Sequence, residues 1–142
     1  MSIIVKKVAQ LLAGLIFIYG VYIILHGHLT PGGGFAGGIL VAGAFILLIL
    51  AFGSSALNLK KEVAGSSNTE SIAILMVVIL ALMAMLLGTR VFLFNFLPKG
   101  QAGELMSAGV IPLYNIFIGI EVAGAILTIF LALIIFKEES SK

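Results

Sequence analysis

The chain has 142 residues, 61% hydrophobic and 10% charged, with eight Lys or Arg against six acidic side chains and a formal net charge of +2. Soluble domains are roughly half apolar and about a quarter charged, so this composition, with a mean hydropathy of +1.27, excludes a soluble enzyme and points to an integral membrane protein. The absence of cysteine excludes disulfides, thiolate metal sites, iron–sulfur ligation and cysteine nucleophiles, and scattered lysines do not make the basic, aromatic-interleaved patch that nucleic acid needs.

A helix needs about 20 apolar residues to cross about 30 Å of hydrocarbon. Four runs meet that length, over residues 8–25, 35–57, 72–96 and 111–136. None alternates with the two-residue period of a membrane barrel, so the expected fold is all-α, one domain over 1–142 with four transmembrane helices. The first run follows Lys6 and Lys7 as a secretory signal would. It is too long for a signal core and ends without a small-x-small cleavage site, so it is expected to stay as a span. Tyr19, Tyr22 and His26, three and four residues apart, share one helix face. That stripe ends either an interfacial aromatic belt or the mouth of a hydrated proton path, since imidazole exchanges protons in the physiological range.

The first connection reads HGHLTPGGGFAGG over residues 26–38. Thr30 and Pro31 suit an N-cap and a first helical position, so the second helix is expected to start near Pro31, with Gly32, Gly33 and Gly34 in its first turn. Three consecutive glycines cost about 1 kcal/mol each in a helix relative to alanine. Either an unwound turn that meets a cation or water, or a close contact with a neighbouring helix, would justify them. Gly34, Gly38 and Ala42 repeat every four positions as a small-xxx-small face, with Gly37 and Gly43 beside it. His26 and His28 are too few ligands for a metal, no phosphate-loop lysine follows the glycines, and no cofactor is expected.

The stretch 53–71, with Lys60, Lys61 and Glu62, reads as a polar loop; Glu70, Glu104, Glu138 and Glu139 read as interfacial or terminal solvating charges. In the third run, Met76, Met83 and Met85 suit lipid-facing or packing positions. Arg90, near its end, either snorkels to the interface or pairs with a buried acid. The fourth run holds that acid: Glu121 falls about 13 Å past Pro112, where a carboxylate costs a few kcal/mol and marks function more often than packing. Tyr114 and Thr128, one heptad to either side, share its face, with Gly124 and Ala125 alongside. Glu121, Tyr114, Thr128, Arg90, His26 and His28 are therefore the candidate ion path.

Lys6, Lys7, Lys60, Lys61, Lys137 and Lys142 all fall on one side of a four-span layout, which places both termini in the cytoplasm of a multi-pass cell-membrane protein. The spans show no internal repeat of the kind that marks many self-sufficient transporters. Helices that are apolar nearly all round face lipid or neighbouring subunits.

In its length, its four spans and two blocks, HGHLTPGGGFAGG at 26–38 and IPLYNIFIGIEV at 111–122, the sequence resembles the MnhB/MrpB family, the small B subunit of Mrp-type multisubunit sodium/proton antiporters. The resemblance implies a membrane subunit without catalytic activity of its own, assembled with other small hydrophobic subunits and with large antiporter-like subunits, Na+ and H+ being the transported ions. Similar modules occur in membrane-bound hydrogenases and sulfane reductases, and the His-Gly-His form of the first block resembles the archaeal or hydrogenase-linked members. A purely structural subunit that packs the larger partners is the other class the sequence allows.

Overall fold

The computed structural model describes residues 2–53, 58–89, 91–101, 103–105 and 107–140. Four helices make up the bundle: α1 (Ile3–Leu25), α2 (Gly33–Phe52), α3 (Leu59–Ala84) and α4 (Ile111–Ser140). All are long and apolar enough to cross a membrane. The C-terminal end of α3 runs on as a π-helical segment, Met85–Thr89. The second run was expected to extend to residue 57, but α2 stops at Phe52 and residues 54–57 lie outside the described ones.

The largest departure from the apolar pattern is α3. It starts at Leu59, capped by Asn58, whose side chain accepts a hydrogen bond from the Lys61 N–H. Lys60, Lys61 and Glu62 therefore occupy the first turn of a helix, not a loop. The polar stretch that follows is helical, and three of its hydroxyls are satisfied by the helix's own carbonyls, so they need no partner outside it. Ser66 Oγ donates to Val63 O at 3.1 Å, Thr69 Oγ1 to Gly65 O at 2.9 Å and Ser71 Oγ to Ser67 O at 2.9 Å. The helix also ends short of residue 96, and residues 91–98 run on without regular structure.

The start of α2 differs as well. Its N-cap is Gly32, not Thr30, and no side chain caps it. Thr30 Oγ1 instead donates to the carbonyl of His26 at 3.1 Å. Gly32 and Gly33 have φ of +137° and +71°, values that a residue with a Cβ adopts at a cost, so the turn consumes Pro31 and Gly32 before the helix can begin.

In the bundle α2 lies between α1 and α4, and α3 packs on the far side of α4; α1 and α4 make a smaller contact. Small residues set these approaches. A Cβ added to Gly37 would lie 2.7 Å from Gly20 O of α1, and one added to Gly38 would lie 2.6 Å from Gly119 O of α4. Gly34 abuts the Asn115 carbonyl, and Ala42 is fully buried. The Gly34–Gly38–Ala42 stripe thus packs inside the chain, on α4, and Gly37 serves α1. Alanines dominate the interior (Ala9, Ala13, Ala44, Ala51, Ala73, Ala81, Ala84), while large apolar side chains such as Leu11, Ile18 and Leu86 point outward.

Candidate functional site

At the end of the bundle where α1 finishes, the 26–34 turn meets the start of α4. His26 closes a ladder of rings on α1: Tyr19 stacks on Tyr22 with centroids 6.4 Å apart, and Tyr22 on His26 at 4.1 Å. Its Nδ1 lies 3.0 Å from the Tyr22 carbonyl. A carbonyl only accepts, so Nδ1 carries the hydrogen of this bond. The His26 carbonyl accepts from Leu29 N, Thr30 N and Thr30 Oγ1, which holds the turn compact.

His28 is tied elsewhere. Its Nε2 donates to the Glu104 carbonyl at 3.3 Å, linking the turn to the connection before α4, and its buried Nδ1 has no partner among the described residues. Asn95 anchors that connection: its Nδ2 donates to Ala108 O and its Oδ1 accepts from Val110 N, both at 2.9 Å. Gly109, at φ +65°, allows this fit because any Cβ there would collide with the Asn95 carboxamide.

Sequence reasoning missed Asn115. A Cβ on Gly27 would lie 2.9 Å from its Nδ2 and one on Gly33 3.4 Å from its Oδ1, so the glycines of the turn are a socket for this carboxamide. Its Nδ2 is buried without a partner among the described residues, as is the hydroxyl of Tyr114. The available signal was an Asn five residues into a span with few polar side chains. With His28 Nδ1, all the unpartnered buried side-chain polar atoms among the described residues gather at this end of the bundle.

Down α4, Tyr114, Glu121 and Thr128 share a heptad stripe, and the structure shows what that stripe faces. Thr128 Oγ1 lies 2.8 Å from Ser66 Oγ of α3 and donates to its own helix at Gly124 O, 2.9 Å away. Gly124 is buried against the Ser66 carbonyl, which lies 3.0 Å from where its Cβ would be. At its Thr128 end the stripe therefore faces α3, and Glu121, half-buried, continues it at helical spacing. Glu70, expected as a solvating charge, is half-buried in the seam between α3 and α4, its Cβ 3.3 Å from a Cβ built on Gly124. Arg90 lies outside the described residues.

A family model described as the domain related to the MnhB subunit of Na+/H+ antiporters matches residues 4–128. An uncharacterised protein of Methanocaldococcus jannaschii is 36% identical over 135 residues, covering 88% of this chain and 49% of the relative. A Staphylococcus epidermidis protein whose name designates it antiporter subunit mnhB2 is 39% identical over 51 residues, 36% of each chain. Among solved structures, a chain of the membrane-bound sulfane sulfur reductase, an archaeal respiratory membrane complex, superposes with a TM-score of 0.73 at 34% identity over 91% of this chain and 56% of its own. The chain thus spans half or less of the length of these curated relatives.

Proposed function

This chain belongs to the family of MnhB subunits of Na+/H+ antiporters, and from that premise we propose that it is a non-catalytic subunit of an Mrp-type sodium/proton antiporter module. It contributes to ion translocation and is assembled with other small hydrophobic subunits and large antiporter-like subunits. Its termini face the cytoplasm, so the 26–34 turn lies at the outer surface. The likeness to a chain of an archaeal respiratory complex supports a redox-driven host over a stand-alone antiporter.

One observation carries the translocation role: the polar stripe of α4 is turned toward α3 at its Thr128 end, where Thr128 and Ser66 pair their hydroxyls, and it holds a carboxylate at Glu121. Each of these groups costs free energy in hydrocarbon unless it is partnered or hydrated, so a helix that carries a carboxylate at this depth needs a face covered by protein or water, and the α3–α4 seam offers one. The path enters past His26, His28 and Tyr114 at the outer end, reaches Glu121 and leaves by Thr128. The Gly34–Gly38 stripe does not argue for a scaffold role, since it packs within the chain.

The test is complementation. Glu121→Gln, introduced into the assembled complex in everted vesicles, is expected to lower sodium-dependent proton transport by about tenfold or more, the scale of one positioned proton-transfer group. Unchanged transport with normal assembly would refute the role of Glu121 and leave the scaffold reading.

A further inference from the structure

Glu70 is one of the acidic side chains that this function leaves unused, and its position is unlike that of a surface charge. On α3, Ser66, Glu70, Ala73, Val77, Ala81 and Ala84 recur at helical spacing on one face. Of these Ala73, Ala81 and Ala84 are buried, while Ser66 and Gly124 fix the partner of that face as α4. Gly124 lies about 20 Å along α4 from Ile111 at 1.5 Å per residue, and Glu121 about 4.5 Å nearer Ile111. Glu70, level with Gly124, is thus at the middle of the span, within about one helical turn of Glu121.

We propose that Glu70 is a second proton-carrying residue of the subunit, and that protons pass along the α3–α4 seam between Glu121 and Glu70. This rests on the antiporter reading above and assigns the α3 half of its path. The transfer is balanced: an O–H bond on one carboxyl breaks as one forms on the other, directly or through one water molecule, and the charge of the pair is unchanged.

The hydroxyl pair keeps the seam beside Glu70 polar: three contacts of hydrogen-bond length link Val63 O, Ser66 Oγ, Thr128 Oγ1 and Gly124 O, and the two hydroxyls bring two hydrogens to share among them. The crevice of about 320 Å3 where the four helices meet is bordered by Ser66, Thr69 and Gly124 but is otherwise apolar, and neither carboxylate lines it.

The experiment measures sodium-dependent proton transport by the whole complex in everted vesicles carrying Glu70→Gln, Glu70→Asp or Glu121→Gln. Glu70→Gln is expected to reduce the rate by about tenfold or more with assembly intact, and Glu70→Asp to restore part of the rate with a displaced pH profile, which a packing role would not move. Wild-type transport in Glu70→Gln, together with impairment in Glu121→Gln, would overturn this inference alone. Silence of both would overturn the antiporter reading of the seam itself. Should Glu70→Gln fail to assemble, dicyclohexylcarbodiimide is applied to the unaltered complex. Modification of Glu70 in step with lost transport supports the inference; inactivation with Glu70 unmodified overturns it.

Discussion

Adding one methyl group at Gly38 tests the packing of α2 on α4 most directly. The new Cβ would stand 2.6 Å from the Gly119 carbonyl oxygen and 2.9 Å from Val122 Cβ, atoms that cannot swing aside because one is backbone and the other is the root of a β-branched side chain. Reaching ordinary contact at about 3.4 Å requires the two helices to part by roughly 0.8 Å, and forced overpacking of this kind costs about 1–3 kcal/mol. Alanine's better helix propensity returns at most about 1 kcal/mol. Gly38→Ala is therefore expected to destabilise the subunit by about 1–2 kcal/mol. Gly43, five residues on, has nothing within 4 Å of a built Cβ, so Gly43→Ala keeps the propensity gain without the clash and is expected to be neutral or stabilising. The assay is the temperature at which the detergent-solubilised complex loses this subunit, read by native electrophoresis after stepwise heating. Equal midpoints for the two variants would refute the claim that close backbone approach at Gly38 holds α2 to α4.

The Ser66–Thr128 pair yields a double-mutant cycle. Ser66→Ala and Thr128→Val are each expected to cost about 1 kcal/mol, with a coupling near 1 kcal/mol because either removes the shared bond; strict additivity in the same heating assay would show that the two hydroxyls do not interact. Asn95→Ala removes two hydrogen bonds that fasten residues 108–110 and is expected to cost about 1–3 kcal/mol, seen as faster protease cleavage between residues 95 and 110. An unchanged cleavage rate would mean that this connection is held by something other than Asn95.

The four helices were legible from apolar run length alone, because a span of hydrocarbon sets a minimum that no soluble helix in so short a chain would repeat four times. The boundaries that failed did so for local reasons. Residues 65–71 look like a loop by propensity, yet the stretch is helical, with Ser66, Thr69 and Ser71 satisfied by their own helix's carbonyls. Thr30 looks like a cap, but a turn built on two left-handed glycines displaces the helix start to Gly33. At the candidate site, the Tyr114–Glu121–Thr128 stripe could be read from its heptad spacing, whereas its partner could not, since nothing in a linear pattern says which helix a stripe faces. Glu70 was hidden by a related error: a charge read as solvating is never tested for burial. Asn115 needed the glycine socket around it, which comes from residues some eighty positions earlier.

The interior of alanine and glycine described above has a consequence for the life of the chain before it finds its complex. Large side chains are turned outward, so in the proposed assembly a lone copy would gain less from its own contacts, and further stabilisation would arrive by mass action when neighbours bind the folded form. Copies made in excess of their partners would spend more time open and be cleared by membrane proteases, so the supply of the other subunits, rather than the synthesis rate of this one, would set how much of it persists.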